Sequence, residues 1–330
     1  MNLGRAVVGV TGAGGFIGSR LTERLIGEAA RVRALVRYNS RNDRGHLESL
    51  PPAKKKNVEV VPGDITDAGC VREFVKGCDV VYHLAALIGI PYSYRAPESY
   101  VAVNVVGTHN VLRACLDGGV AKVVHTSTSE VYGTARYVPI DENHPLQGQS
   151  PYSATKIAAD KLAESYFLSF NLPVATLRPF NTYGPRQSAR AVVPAIVGQL
   201  LSGTTVRLGA LDPVRDLTYV DDTVDAFLAV ARADAATGEV INVGSGKGIA
   251  VGDLAREIAR LMGKKRLRVV IEPARKRPGA SEVMRLICDN RKAKRLLGWE
   301  PRIPLAEGLA RTIEYIVRHG ERRAKGGYVI

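Results

Sequence analysis

Residues 11–18, TGAGGFIG, constrain the fold more than any other stretch of this sequence. They follow a short apolar segment, residues 6–11, and precede a segment with helical periodicity. Gly12, Gly15 and Gly18 allow a sharp turn and let the backbone approach a ligand at the start of a helix. A helix N-terminus attracts the negative charge of a pyrophosphate. In this strand–turn–helix position the glycines predict a dinucleotide site, and a tight turn without a ligand is the alternative.

Short apolar runs alternate with helical periods along the first half of the chain. Further strands are predicted over residues 31–36, 58–64, 79–86, 121–127 and 172–179, and helices over residues 97–117 and 151–170. This βαβ alternation is typical of a parallel sheet with helices on both faces. We therefore predict an α/β fold whose first domain, residues 1–178, is a Rossmann-type, doubly wound parallel sheet.

The alternation loosens after Arg178. A helix and a strand within residues 219–244 are expected to rejoin the sheet. The flanking segments, residues 179–218 and 245–330, are predicted to form a smaller α/β domain that is discontinuous in sequence. A chain of 330 residues with 45% apolar residues is long enough for two such domains.

The positive charge of the chain is concentrated near its C-terminal end. The formal net charge is +14, and residues 260–330 hold 19 basic and 7 acidic residues. Such a region can attract nucleic acid, an anionic membrane or a phosphorylated small molecule, or can be a solvated surface. The sequence contains no basic motif interleaved with aromatic residues, so it gives no indication of a nucleic acid partner. The sequence contains neither a signal-peptide pattern nor an apolar run long enough to cross a bilayer. A cytoplasmic protein is therefore predicted.

The residue types that bind metals show no ligand spacing. The four cysteines, Cys70, Cys78, Cys115 and Cys288, form no CxxC pair, and His83, His125 and His144 are not spaced as ligands. We predict reduced, buried thiols and no metal site.

The residues after the second predicted strand bear on the identity of the dinucleotide. An acidic residue about 20 positions beyond the glycines would bind the adenosine ribose and favour NAD. This chain has Arg37 and Arg41 there instead. Arginines suit the 2′-phosphate of NADP, but exposed loop arginines are an equally good interpretation. NAD or NADP is therefore predicted, and NADP is slightly favoured. Asp64, after the third strand, is placed to contact the adenine, and a turn residue without a ligand is the alternative.

The stretch PYSATK places Tyr152 and Lys156 four residues apart near the start of a predicted helix, hence on one face. A tyrosine with its usual pKa near ~10 is a poor base at neutral pH. One positive charge at ~4 Å in a medium of effective dielectric near 20 is worth roughly 4 kcal/mol, or about three pKa units. Lys156 and a cationic nicotinamide are together expected to bring the Tyr152 phenolate within reach of physiological pH.

The chain resembles the extended short-chain dehydrogenase/reductase family in a series of motifs that occur in the family's order: TGAGGFIG, GDI, HLAA, the hydroxyl-rich TSTS, YSATK and RPFNTYGPR. The resemblance implies that Tyr152 is the catalytic base, that Lys156 holds the nicotinamide ribose and that Thr128 hydrogen-bonds the reacting sugar oxygen. It also implies a tightly bound NAD or NADP, a nucleotide-diphosphate sugar substrate and a homodimer built through helices 97–117 and 151–170. The motifs contribute further cofactor-binding residues: Phe16, Ile17, Ile65, Leu84, Ala85 and Ala86.

The segment Thr128-Ser129-Glu130 resembles the sequence that GDP-mannose 4,6-dehydratases carry at this strand end. Sugar epimerases of the family typically lack the carboxylate, and thymidine-diphosphate-glucose dehydratases carry Thr-Asp-Glu. The wider sequence most resembles bacterial N-acetylglucosamine nucleotide 4,6-dehydratases of the legionaminate type. The resemblance implies that Ser129 belongs to the catalytic segment and that Glu130 removes the proton from sugar carbon 5. A carboxylate that caps a backbone amide at the strand end is the alternative for Glu130.

Three other functions remain open. UDP-glucuronate decarboxylases also carry Thr-Ser-Glu, and a nucleotide-sugar 4-epimerase would use the same Tyr152 and Lys156. A non-catalytic dinucleotide-binding sensor belongs to a different class, and the intact pair of Tyr152 and Lys156 argues against it.

The residues expected to bind the substrate lie beyond residue 178. Arg215 is expected to contact the nucleotide diphosphate, with Asp216 either as its salt-bridge partner or as a helix-start acid. Arginines suit this role because guanidinium groups pair bidentately with phosphate oxygens. The family resemblance implies this substrate-binding set: Asn181, Arg186, Arg215, Asn242 and Arg277.

Overall fold

A computed structural model describes residues 2–275 and 278–319 of the protein. The strands are β1 (Val7–Thr11), β2 (Arg31–Arg37), β3 (Val58–Gly63), β4 (Val80–His83), β5 (Lys122–Thr126), β6 (Val174–Pro179), β7 (Asn181–Tyr183), β8 (Thr205–Leu208), β9 (Val214–Tyr219), β10 (Val240–Val243), β11 (Gly248–Ala250), β12 (Arg268–Ile271) and β13 (Arg285–Leu286). The α-helices are α1 (Phe16–Leu25), α2 (Pro52–Lys55), α3 (Ala68–Val75), α4 (Ile90–Ser93), α5 (Pro97–Tyr100), α6 (Gly107–Asp117), α7 (Pro151–Phe170), α8 (Val192–Ser202), α9 (Val220–Arg232), α10 (Val251–Leu261), α11 (Arg291–Leu297) and α12 (Leu305–His319).

Seven parallel strands form the main sheet, in the spatial order β3-β2-β1-β4-β5-β6-β10. The chain changes direction across the sheet between β1 and β4, which are hydrogen-bonded neighbours. In doubly wound sheets, ligands bind outside the carboxyl ends of the strands at such a switch point. The glycine loop follows β1 and residues 84–86 follow β4, so both lie there. The predicted Rossmann-type α/β fold is confirmed.

Apolar side chains of the central strands pack into layers on both faces of the sheet, because successive strand residues point to opposite sides. On β4, Val80 and Tyr82 pack into the layer that contains Phe227 of α9. Val81, between them, packs into the layer that contains Val71 and Phe74 of α3. The site at the carboxyl edge is therefore built on strands that are fixed from both sides.

The chain beyond β6 forms smaller sheets and rejoins the main one. Strands β11, β9 and β13 are neighbours, β7 pairs with β9, and β8 pairs with β12. Strand β10 pairs with β6 at the edge of the main sheet, and α9 contacts β5 and β6. The segment expected to rejoin the sheet, residues 219–244, does contribute both a helix and a strand to it; the exact domain bounds stay a prediction.

Two predicted elements differ in detail from the structure. The strand predicted over residues 79–86 ends at His83, because the next two amides bond to a side chain of β1 instead of to a neighbouring strand. The helix predicted over residues 97–117 is divided into α5 and α6 by a π-helical segment, Val101–Val106. Within the described ranges, the helices are all too short or too polar to cross a lipid bilayer.

Candidate active site

Helix α7 begins at the carboxyl edge of the sheet because its first turn is capped locally. The Ser150 side chain accepts a hydrogen bond from the amide of Ser153, and the Ser153 side chain bonds back to the Ser150 amide. This capping box satisfies two otherwise unpaired amides, and Pro151 suits the first helical position. The cap fixes where α7 starts, so Tyr152 and Lys156 face the end of β5.

Lys156 is held against the strand end by a backbone contact. Its Nζ donates a hydrogen bond of 2.6 Å to the carbonyl oxygen of Thr126, the last residue of β5. The side chain is buried, and burial lowers the pKa of Lys156 from 10.5 to about 8, with Asp160 opposing this change. Burial therefore brings the loss of the lysine's charge closer to neutral pH than it is for an exposed lysine.

The residues after β5 turn back toward Tyr152. A 3₁₀ turn, Ser129–Tyr132, follows the strand, and the Thr128 hydroxyl caps it by accepting a hydrogen bond of 3.3 Å from the Glu130 amide. Thr128 also hydrogen-bonds the Tyr152 phenol, and the charge of Glu130 acts on the same phenol. Glu130 is only 8% exposed. The structure therefore brings Thr128, Glu130 and Tyr152 together, with Ser129 buried in the turn between them.

The pKa of Tyr152 is set by its burial and by two neighbouring side chains. Burial raises the pKa of Tyr152 strongly, the hydrogen bond with Thr128 lowers it, and the charge of Glu130 raises it further. Within the protein alone, burial is the largest influence on this pKa. The lowering expected from Lys156 together with a cationic nicotinamide stays a prediction.

The glycine loop is built so that its backbone lies close to the neighbouring strand end. Gly12 adopts φ +70°, a left-handed conformation that favours glycine, and a Cβ there would lie 2.8 Å from the Ala85 amide. A Cβ on Gly18 would overlap the carbonyl oxygen of Gly12, and one on Gly15 would lie 3.2 Å from the same atom. Phe16, the first residue of α1, follows directly. The loop leaves a helix N-terminus open at the switch point, which fits a pyrophosphate.

A buried hydroxyl and imidazole, both missed in the sequence, hold the loop after β4. The Thr11 hydroxyl accepts hydrogen bonds of 3.1 Å from both the Leu84 and Ala85 amides and lies 2.8 Å from His83 Nδ1. His83 Nε2 lies 3.0 Å from the Thr108 hydroxyl of α6. Burial lowers the pKa of His83 well below 6.5, so the ring is neutral. This network fixes Leu84 and Ala85, at the start of the predicted cofactor loop, beside the glycines.

The residues predicted to meet the adenosine end lie at the surface. Arg37 Nε is 3.8 Å from a carboxylate oxygen of Asp64, and Arg37 is 79% exposed. Asp64 also accepts a hydrogen bond from the Thr66 amide, as a turn residue does. Arg41 contacts Asn39 through its backbone amide. The structure thus brings Arg37 and Asp64 together, whereas Ile65 is buried below them.

The residues predicted to bind the substrate contact different parts of the protein. Arg215 is buried and pairs with Glu282 at 3.3 Å, while the guanidinium of Arg186 pairs with Glu23 of α1 at 3.0 Å. The side-chain oxygen of Asn181 is buried and has no hydrogen-bond partner among the described residues. Arg277 lies outside the described residues.

Two predictions about this region need correction. Asn242 is fully buried, its Oδ1 accepts a hydrogen bond from Tyr132 and its Nδ2 donates to the Ile140 carbonyl, so its side chain anchors the core instead of contacting phosphate. Asp216 is not the partner of Arg215, because its carboxylate accepts hydrogen bonds from the Ser245, Gly246 and Cys288 amides. In the part of the chain that the structure describes, no group of acidic, histidine and cysteine side chains could hold a metal ion.

Comparison with known proteins decides the family. Residues 10–312 match the family described as GDP-mannose 4,6 dehydratase. The chain belongs to the nucleotide-sugar dehydratase and epimerase family of extended short-chain dehydrogenases/reductases. It is 38% identical to a UDP-glucose 4-epimerase of Mycolicibacterium smegmatis, over 93% of this chain and 97% of that protein. It is 37% identical to a dTDP-glucose 4,6-dehydratase of Streptomyces antibioticus, over 93% and 91% respectively.

A solved member of the family has the same fold. DesIV, a dTDP-glucose 4,6-dehydratase from Streptomyces venezuelae solved with NAD bound, superimposes with a TM-score of 0.84. The two proteins are 30% identical, and the match covers 94% of this chain and 97% of DesIV. The predicted family membership and enzyme class are therefore confirmed, and the family includes both dehydratases and epimerases.

Proposed function

We propose that this protein is an NAD(P)-dependent nucleotide-sugar 4,6-dehydratase that acts on a UDP- or GDP-N-acetylglucosamine type substrate and gives a 4-keto-6-deoxy sugar. The proximity of the buried Glu130 carboxylate to the Tyr152 phenol is the observation that carries the proposal. A dehydratase needs such an additional acid–base group, whereas a 4-epimerase needs only the phenol and its hydroxyl partner.

The residues divide the proposed reaction between them. Tyr152 takes the proton from the hydroxyl on sugar carbon 4, while Thr128 hydrogen-bonds the same oxygen. The resulting ketone acidifies the hydrogen on carbon 5, and Glu130 removes that proton. Glu130 then returns it to the hydroxyl that leaves carbon 6, so that one water is lost. A nicotinamide bound at the glycine loop would supply the hydride chemistry, from carbon 4 and back to carbon 6. Carbon 5 takes up a proton when the hydride is returned, and the proton that Tyr152 took in the first step balances it.

The residues around the switch point fit a dinucleotide. Gly12, Gly15 and Gly18 let the backbone approach a pyrophosphate at the start of α1, and Lys156 is placed to bind the nicotinamide ribose. We propose NAD as the first cofactor to test, because DesIV was solved with NAD. The ion pair of Arg37 with Asp64 also supports NAD, because it offsets the positive charge that a 2′-phosphate would require.

A 4-epimerase is the second candidate, since the Mycolicibacterium smegmatis relative carries that name. A UDP-glucuronate decarboxylase is the third, because it would also use a Thr-Ser-Glu segment. The purified protein should be incubated with UDP- and GDP-N-acetylglucosamine, UDP-glucuronate and UDP-galactose, and the products analysed by mass spectrometry and proton NMR in D₂O. Loss of one water with deuterium at carbon 5 supports the dehydratase. Release of carbon dioxide would instead support the decarboxylase. An isomer of unchanged mass without deuterium would support the 4-epimerase.

The assembly and location of the protein are also proposals. We infer a homodimer through the helices at residues 97–117 and 151–170, because Val101, Val106 and Phe170 of these helices are apolar and about half exposed. Light scattering coupled to size exclusion tests this, with Phe170→Glu as the disrupting variant. A cytoplasmic location and the lack of a nucleic acid partner stay predictions.

A further inference from the structure

The buried polar residues of α7 continue one turn beyond the pair used in the proposed reaction. Tyr152, Lys156 and Asp160 recur every four residues and form one stripe along the helix. All three are buried, with exposed fractions of 7%, 4% and 4%. Tyr152 bonds to Thr128 and Lys156 bonds to the carbonyl of Thr126, so the stripe faces the end of β5.

Asp160 bonds to the same strand end from further along the helix. Its Oδ2 accepts hydrogen bonds of 2.6 Å from the Ser127 hydroxyl and 3.1 and 3.0 Å from the Arg178 guanidinium. Its Oδ1 accepts one of 3.0 Å from His125 Nε2. A buried carboxylate with four hydrogen bonds holds a fixed position and a fixed charge.

The groups that act on Lys156 come from several elements. Burial lowers the pKa of Lys156, and Asp160 is the charge that raises it. The two imidazoles are neutral, because burial lowers the pKa of each. Arg178 pairs with the carboxylate of Asp160 and therefore weakens its effect on the lysine. The charged and titratable groups that interact with the ammonium are His83 from β4, His125 from β5 and Asp160 from α7. Arg178 from β6 pairs with Asp160, and Glu130 from the following turn acts on Tyr152 of α7.

We propose that Asp160 is a positioning residue for the Tyr152–Lys156 pair, whose carboxylate keeps the Lys156 ammonium charged and holds α7 in register with the end of β5. The link to catalysis rests on the proposed function, since it requires that Lys156 act in turnover. The electrostatic part does not, because it concerns the lysine alone. Because Arg178 also pairs with the Asp160 carboxylate, it limits how strongly Asp160 stabilises the charge of Lys156.

The direct test is a titration of Lys156 without substrate. Lysine labelled with carbon-13 at Cε is incorporated into the whole chain, and the spectrum of Lys156→Met identifies the resonance. In Asp160→Asn the pKa of Lys156 should fall by about one unit, because the opposite charge is removed. The matched control is Ser127→Ala, which removes a hydrogen bond to the same carboxylate but leaves its charge, and should leave the titration unchanged. A folded Asp160→Asn protein with the wild-type Lys156 titration would refute the proposal.

A second variant keeps the test decisive if Asp160→Asn does not fold. In Arg178→Gln the carboxylate is no longer shared, so the pKa of Lys156 should rise; an unchanged or lower value contradicts the proposal. The alkaline limb of the pH profile of kcat should move with the lysine in both variants, down for Asp160→Asn and up for Arg178→Gln. If the lysine titrations shift as expected but no nucleotide sugar is turned over, the proposed function fails and the role of Asp160 stands.

Discussion

Replacing Glu130 with glutamine separates the first step of the proposed reaction from the second. The amide keeps the size of the side chain and can still accept a hydrogen bond, but it cannot remove a proton from carbon 5. One positioned acid–base group contributes ~10²–10⁴-fold in rate. Turnover to the 4-keto-6-deoxy sugar should therefore fall by that factor, which corresponds to a rise of about 3 to 5 kcal/mol in activation free energy.

The structure also predicts what should survive the substitution. The negative charge of Glu130 raises the pKa of Tyr152, so removing that charge lowers the pKa and makes the phenolate that oxidation at carbon 4 requires easier to form. Substrate should still reduce the cofactor in a single turnover, and the reduced form should accumulate because the elimination that consumes the ketone is blocked.

The assay follows both events in one sample. Stopped-flow absorbance at the reduced nicotinamide band reports the oxidation, and NMR in D₂O reports exchange at carbon 5 and loss of water. Glu142→Gln is the matched control, because Glu142 is another partly buried glutamate and accepts a hydrogen bond from the Asn242 amide that glutamine can also accept. An E130Q protein that eliminates water at the wild-type rate, or that loses the oxidation step as well, would refute the assignment of Glu130.

Three further predictions concern binding and stability. Arg215→Ala should raise KM for the nucleotide sugar much more than it lowers kcat, and an unchanged KM in steady-state assays would remove Arg215 from the site. Gly18→Ala should weaken dinucleotide binding measured by calorimetry and lower Tm, since its methyl group would overlap the Gly12 carbonyl. Burial lowers the folded-state pKa of His83 and His125 below 6.5, so the unfolded chain takes up protons first and stability should fall as the pH drops below that value. Denaturant unfolding at a series of pH values measures this, and a midpoint that is constant from neutral pH downward contradicts it.

The sequence predicted the parts of the site that depend on backbone geometry and short-range spacing. Gly12 must adopt a left-handed conformation beside Ala85, and only a few residues allow that, so the motif is visible in the chain itself. Tyr152 and Lys156 share a helix face because of their four-residue spacing. The parallel main sheet follows from the same βαβ alternation.

The contacts that the sequence did not predict join residues far apart in the chain. Thr11 and His83 are 72 residues apart, and nothing in their local sequence indicates that their side chains form a hydrogen bond between β1 and β4. Arg215 pairs with Glu282 instead of the adjacent Asp216, because Asp216 points inward to three backbone amides. Asn242 was assigned to phosphate by its motif, but burial in the sheet edge commits its amide to the core. Such choices depend on tertiary packing, which local patterns do not encode.

The short turn that carries Glu130 affects how the reaction catalysed by members of this family can change during evolution. The pair that we propose for oxidation and its reversal lies on a twenty-residue helix anchored by many contacts, whereas the group that we propose for elimination lies on a four-residue 3₁₀ turn. A substitution in that short turn can alter the outcome at carbon 5 while the oxidoreductase framework stays intact. Enzymes that invert a hydroxyl and enzymes that expel one can therefore diverge by few steps, which is consistent with the nearly equal identity of this chain to an epimerase and to a dehydratase.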